Sequence, residues 1–268
     1  MNRYQLIKSI REKQSYLCVG LDTTKTKIPK HLQSNTDAVF EFNKAIIDAT
    51  RDICVAYKIN TAFYEADGLK GWETMEKTID YISDSHLKIA DAKRGDIGNT
   101  SHQYARTFFE TMNFDAVTVA PYMGEDSIRP FLEYENKWTI VLGLTSNKGA
   151  EDFELQRLSS GKFLYEQVIE TVAGWGTEEN LMFVTGATQA SELKNIRTII
   201  PDHFLLIPGL GFQGGSLSEV SESGFNKDVG LLVNASRAII YAGEGKDFAD
   251  EAKMIAHQYQ SEMQQYLR

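Results

Sequence analysis

Residues 87–100 read LKIADAKRGDIGNT, placing Asp91, Lys93 and Asp96 within a few positions of one another directly after an apolar run. If Leu87 and Ile89 lie in a strand, period-two alternation sends Asp91 and Lys93 to the face that carries Ile89. Opposite charges then share one direction. A second lysine, Lys58, sits inside the apolar segment VAYKIN, where an unpaired ammonium is costly and needs a carboxylate partner. Asp91 on a neighbouring strand is within plausible reach. Lys58, Asp91, Lys93 and Asp96 sum to zero formal charge, so an alternating array can satisfy itself while desolvated. An ammonium set among carboxylates keeps its proton, because opposite charge nearby favours the charged form. That suits a proton donor rather than a nucleophile or a Schiff base. The same residues also read as a plain salt-bridge network on a rim.

Such an array needs strands to hold it. Eight short runs rich in β-branched or aromatic residues recur, at 16–22, 55–60, 87–93, 115–121, 138–145, 181–187, 204–209 and 229–236. Segments with helical spacing separate them, at 36–53, 70–83, 100–112, 126–135, 162–175, 189–199 and about 247–266. In the first of these, Val39, Phe40, Phe42, Ile46 and Ile47 make an apolar stripe, with Thr36 or Asp37 as the cap. Near-continuous apolar strands alternating with helices indicate a parallel sheet covered by helices, and eight repeats predict an α/β protein of the (β/α)8 TIM-barrel class. An open doubly wound sheet is the alternative. No Pro-rich or Ser-rich linker interrupts the alternation, so residues 1–268 read as one barrel domain with its active site at the C-terminal ends of the strands. The connections 145–161 and 208–228 are long, a length common in active-site loops.

The strand ends carry Asp22, Lys58, Asp91 with Lys93, Ser146, Gln213 beyond the seventh strand and Arg237 after the eighth. In a barrel these converge on one mouth, although Asp22 or Ser146 taken singly also reads as a cap or a solvated turn. The last loops suggest phosphate. IPGLGFQGG offers Gly209, Gly211, Gly214 and Gly215, whose amides can approach an anion, with Gln213 as a side-chain contact. Arg237 follows in NASRAIIYA at the start of a helical turn, and phosphate sites near the seventh and eighth strands recur in this architecture.

Composition narrows the remaining possibilities. A formal net charge of -9 without a Lys/Arg run argues against a nucleic-acid surface, so an anionic ligand must be held by local groups. Cys18 and Cys54 lie in apolar runs without metal or redox spacing and read as reduced core residues. The N-terminal segment is amphipathic and lacks the apolar centre of a signal peptide, and no apolar run approaches the ~18 residues of a membrane span. A cytoplasmic protein without membrane contact is expected.

The run DAKRGDIGNT resembles the D-x-K-x-x-D-I-x-x-T signature of the orotidine 5'-monophosphate decarboxylase family, and VGLD, YK, TSNKGA, PGLGFQGG and SRAIIYAG accompany it in order. The resemblance spans about residues 16–245 and is to the longer bacterial subgroup. It implies a homodimeric (β/α)8 barrel that converts orotidine 5'-monophosphate to uridine 5'-monophosphate and CO2, without metal or cofactor, in the last step of de novo UMP synthesis. By that resemblance Lys93 protonates C6, Asp91 sits beside the substrate carboxylate, and Lys58 orients Asp91 and meets the ribose. Asp96 and Thr100 reach into the partner subunit's site. Asp22 binds a ribose hydroxyl, Ser146 or Thr145 the pyrimidine edge, Gln213 the base and phosphate, and Arg237 the phosphate. One departure is Ser236, where many members have glycine before the arginine. Two other readings compete: a Mg-dependent aldolase of the hexulose-phosphate synthase type, which shares D-x-K-x-x-D, and a non-catalytic nucleotide-phosphate-binding barrel. The continuation through Ile97 and Thr100, together with Gln213, favours the decarboxylase.

Overall fold

The strands expected from the apolar runs form, and they close on themselves. A computed structural model of the protein describes residues 1–210 and 216–267. Strands β1 (Leu17–Gly20), β2 (Ala56–Asn60), β3 (Leu87–Arg94), β4 (Ala116–Val119), β5 (Trp138–Leu144), β6 (Leu181–Thr185), β7 (Phe204–Pro208) and β8 (Leu231–Ala235) each pair in parallel with their sequence neighbours. β8 also pairs with β1, so the sheet is a closed (β/α)8 barrel and the open doubly wound alternative is excluded. Every residue of β1, β4, β6 and β8 is buried, as expected of strands whose outer face is covered by helices and whose inner face fills the barrel.

The helices are α1 (Arg3–Lys13), α2 (Ala38–Thr50), α3 (Gly68–Tyr81), α4 (Gly98–Arg106), α5 (Glu125–Leu132), α6 (Leu164–Ala173), α7 (Ala190–Ile199), α8 (Leu217–Gly224) and α9 (Phe248–Met263), with shorter helical turns between them. Three sequence expectations change. The connection 208–228 is not loop throughout, since α8 occupies part of it behind Ser216, whose hydroxyl accepts the Glu219 N–H. With Leu217 and Val220 as its buried apolar side chains, its stripe is too sparse to read from sequence. The helix expected over 100–112 begins at Gly98 and passes at Arg106 into a π turn over Thr107–Thr111. Asp37 precedes α2, yet its side chain makes no cap bond there; it accepts from Lys70 at 2.6 Å and Lys77 at 2.9 Å on α3. Two cationic donors outcompete a neutral amide for the carboxylate.

α1 closes the bottom of the barrel. Asn2 and Gln5 form a reciprocal capping box at its start. The buried Arg3 guanidinium then donates to the Glu178 and Asp202 carbonyls and to the Asp228 carboxylate, in the segments that lead into β6, β7 and β8. At the other end of α1, the Lys13 ammonium donates to the carbonyls of Arg51 (2.7 Å) and Cys54 (2.8 Å) and lies 2.8 Å from His86 Nε2. The same Nε2 lies 2.7 Å from the Arg51 carbonyl, so ammonium, imidazole and carbonyl meet at one point. Burial, reinforced by the Lys13 charge, pushes His86 down to about 4 from its ordinary 6.5. Both cysteines are free and buried, and burial raises both thiols, Cys54 to about 11. Among the described residues, no helix is long and apolar enough to cross a membrane.

Because His86 is depressed in the folded state, the unfolded chain takes up its proton first as pH falls. Stability is therefore full above about pH 6.5 and is lost between 6.5 and about 4, by roughly 2–3 kcal/mol from this residue. Denaturant titrations across that window should show the decline, and His86→Gln should flatten part of it. The His203 imidazole, also lowered to about 4 by burial, adds to the same slope.

Candidate active site

Register brings the charged side chains together. Gly20 pairs with Lys58, and Lys58 with Ile89, so Lys58 shares the inner face with Ile89 and, two residues on, with Asp91. Lys58 Nζ lies 3.0 Å from Asp91 Oδ2 and 3.4 Å from Asp22 Oδ1. Lys93 Nζ lies 2.5 Å from the other Asp91 oxygen. The result is a continuous chain, Asp22–Lys58–Asp91–Lys93, at the C-terminal mouth of β1, β2 and β3. The Lys58 side chain is 4% exposed and that of Asp91 14%, whereas Lys93 is 50% exposed. The interior end of the chain is thus fixed and its outer ammonium is half exposed, outside the lining of the cavity described below.

Electrostatics follow from burial and pairing. Burial alone would drive Lys58 to lose its proton, but Asp22 and Asp91 overcome it and raise Lys58 above the ordinary lysine range. Burial likewise works to raise the Asp91 carboxyl, and the charges of Lys58 and Lys93 outweigh it, holding the group below the usual carboxylate range. Both stay charged at neutral pH.

Lys93 does not reach Asp91 by simple alternation. The β3–β4 register slips between Ala90 and Arg94, and Lys93 adopts φ 47°, a left-handed conformation rare for a residue with a side chain. Thr118 on β4 holds the distortion. Its hydroxyl accepts the Lys93 N–H at 2.9 Å and donates to Asp91 Oδ1 at 3.1 Å. Sequence reasoning missed Thr118, since a threonine in DAVTVAP looks like any β-branched strand residue. It also took Asp91 as the sole partner of Lys58 and gave Asp22 only a ribose contact. The β1–β2 register makes Asp22 a second counter-charge, and the Asn60 N–H donates to it at 3.3 Å.

Asp96 does not flank Lys93 within the chain. Its carboxylate accepts the Ile97 N–H at 2.8 Å, and among the described residues it makes no ion pair. Thr100 lies exposed on the first turn of α4. Neither lines the cavity of about 220 Å³ at the mouth, whose walls include Asp22, Lys58, Asp91, Asn234, Ser236 and Arg237. At the end of β5, the Thr145 hydroxyl is engaged by Glu154 and Asn147. The Ser146 Oγ is buried without a hydrogen-bond partner among the described residues and packs where Gly186 has no side chain. Gly209 has φ 96° after β7, while Gln213, Gly211, Gly214 and Gly215 lie outside the described residues.

Fold and site together define a (β/α)8-barrel protein with an internally compensated lysine–aspartate array and an arginine at its mouth. Residues 15–252 match the sequence model of the Orotidine 5'-phosphate decarboxylase / HUMPS family, and the chain belongs to that family. It is 58% identical over 266 residues to the orotidine 5'-phosphate decarboxylase of Flavobacterium johnsoniae, covering 98% of this chain and 97% of that one. It is 55% identical over 270 residues to that of Phocaeicola vulgatus, covering 100% and 99%. Among solved structures, Leishmania donovani OMP decarboxylase superposes with a TM-score of 0.82 at 35% identity, covering 97% of this chain and 99% of that one. Leishmania donovani UMP synthase gives 0.84 at 36% identity, covering 97% of this chain but 57% of that one.

Removing Lys58 tests the array directly. In Lys58→Met, Asp91 keeps its burial and loses its nearest interior cation, so its carboxyl should rise to or above the ordinary carboxylate range. A carbon-13 NMR titration of the Asp91 carboxyl in both proteins reads the change.

Proposed function

We propose that this protein decarboxylates orotidine 5'-monophosphate to uridine 5'-monophosphate and CO2, with Lys93 delivering the proton to C6. The observation that carries the reading is the compensated chain Asp22–Lys58–Asp91–Lys93, supported by full-length relatives named for that activity. Loss of CO2 from C6 leaves an sp² carbanion that the ring cannot delocalise, so stabilisation must come from fixed charge close by. The Lys93 ammonium is the half-exposed end of the array, and Asp91 and Thr118 hold it in place. The C6–CO2 bond breaks with its electron pair left on C6, and that pair takes the Lys93 proton. Asp91, kept ionised by two lysines, faces the departing carboxylate, and Lys58 keeps Asp91 from turning away. Asp22 meets a ribose hydroxyl. Ser146, whose hydroxyl has no partner among the described residues, meets the pyrimidine edge in preference to the occupied Thr145. Arg237 takes the phosphate, and Gln213 is assigned to base and phosphate on resemblance alone.

In this reading Lys93 receives its second carboxylate from a partner subunit, because Asp96 and Thr100 do not serve their own mouth. The homodimer is supported by exposed apolar side chains gathered after three adjacent strands: Phe63 and Leu69 beyond β2, Ile97 beyond β3, and Tyr122 and Met123 beyond β4. Leu69 is 85% and Tyr122 90% exposed in the single chain, as residues awaiting a partner surface are. A soluble, charged nucleotide substrate accords with a cytoplasmic enzyme that binds neither membrane nor nucleic acid.

Purified protein mixed with orotidine 5'-monophosphate in excess chelator should lose the orotate absorbance band. Failure in chelator with recovery in Mg²⁺ would favour the aldolase-type reading, and product binding without turnover the non-catalytic one. Lys93→Ala should lower turnover at least about 10³-fold while uridine 5'-monophosphate still binds. Mixing Lys93→Ala with Asp96→Ala subunits should restore part of the activity, since one hybrid site carries both native groups. No recovery would count against the shared site.

A further inference from the structure

The β8 side of the cavity, next to the charged array, contains a second polar pair that the decarboxylase reading leaves without a role. Asn234, near the end of β8, is 5% exposed, and its side-chain amide donates to Ser236 Oγ at 3.2 Å. Asn234 Oδ1 is buried with no partner among the described residues. A buried amide left half-satisfied costs about 1–3 kcal/mol, and an apolar residue at 234 would avoid that cost. Ser236 is fixed from three sides. Its carbonyl accepts the Ile239 and Ile240 N–H groups at 2.9 and 3.0 Å. Its Oγ receives the Asn234 proton. Its side chain also fills the space beside Gly20, where an added Cβ would sit 1.8 Å from Ser236 Oγ. Gly20 thus makes room for the hydroxyl, and Ser236 in turn fills the gap that a glycine at 236 would leave.

With its Oγ already accepting from Asn234, Ser236 has one proton left to give, and none of the described residues takes it. The residue lines the cavity immediately before Arg237. We propose that the Ser236 hydroxyl donates to the phosphate monoester of the bound nucleotide, and that Asn234 is a positioning residue that turns the hydroxyl toward it. A donor presented by an oriented side chain adds a charge-assisted hydrogen bond to the guanidinium contact. This assignment rests on the nucleotide reading above. It makes β8 contribute a side-chain donor at 236 where a glycine could contribute only its backbone.

Calorimetric titration of uridine 5'-monophosphate and of uridine into the wild type, Ser236→Ala, Asn234→Ala and the double variant tests the assignment. Ser236→Ala should weaken the nucleotide about tenfold, as loss of one hydrogen bond to a charged group does, and leave uridine within about twofold. Asn234→Ala should act in the same direction. The double variant should bind no more weakly than the weaker single, because one residue acts through the other. Equal weakening of nucleotide and uridine, or no weakening of the nucleotide by Ser236→Ala, would overturn the phosphate contact, and additive losses would overturn the positioning role. Ser236 lies at the surface of the cavity, so Ser236→Ala decides the contact even where Asn234→Ala does not fold. A wild type that prefers nucleotide over uridine, with that preference reduced about tenfold in Ser236→Ala, yet does not turn over orotidine 5'-monophosphate, would sink the decarboxylase reading and leave this one standing.

Discussion

The Lys58 ammonium, almost fully buried between Asp22 and Asp91, constrains the rest of the structure. A single charge at that depth would lose its proton or unfold the chain, and removing one partner from a buried pair costs about 3–5 kcal/mol. Two carboxylates must therefore arrive from neighbouring strands at the right height. β1 supplies Asp22 just past its end, and β3 supplies Asp91 opposite Asn60. Only parallel strands in this register bring those positions to one level, so barrel closure and the array are one solution. Adding Lys93 balances the charges at two against two, and the array stays ionised without help from the solvent.

The price of that balance is local strain. Reaching from the β3 ladder to Asp91, Lys93 takes a left-handed backbone that costs of order 1–3 kcal/mol in a residue with a side chain. Two interactions hold it: the ion pair with Asp91 and the hydrogen bond from its own N–H to Thr118. Both end on groups that are themselves fixed, Asp91 by Lys58 and Thr118 by complete burial. The lysine backbone and ammonium are therefore held by contacts within the chain. That is the preorganisation that charge stabilisation requires, since a freely swinging ammonium would have to be ordered at the moment of reaction.

Much of this was legible in the sequence, for a physical reason. Strands buried on both faces read as continuous apolar runs, and a lysine inside one, as in VAYKIN, is rare enough to announce a partner. What stayed hidden depended on register and packing. The pairing of Asp22 with Lys58 depends on how β1 and β2 align, which 36 positions of separation do not reveal. The slip in β3 leaves no glycine or proline to mark it, so the alternation argument reached the correct neighbours, Asp91 and Lys93, through the wrong geometry. Thr118 and Asn234 look like ordinary strand residues until the barrel places them beside a carboxylate and a hydroxyl. Asp96 misled because proximity in sequence suggested proximity to Lys93, whereas the turn after β3 spends its carboxylate on the Ile97 amide.

In the nucleotide reading proposed above, the two groups of residues at the mouth divide the work by the kind of free energy each supplies. In one group, charges compensate each other and stay fixed, so they change little when ligand binds and act chiefly on charge that develops during reaction. In the other, Ser236 and Arg237 can grip a group that never reacts. Under that proposal, binding energy gained there would order the nucleotide without stabilising its ground state at C6, and would be available to bring C6 against Lys93 and to exclude water. A site built this way reacts slowly with a nucleoside that lacks the phosphate, even with every catalytic group intact. The two groups are linked through the strand pairing of β8 with β1, where Asn234 lies beside Cys18 and Ser236 packs on Gly20, two residues from Asp22. Under the proposed phosphate contact, that packing would give a phosphate on β8 a short path to the strand beside Lys58.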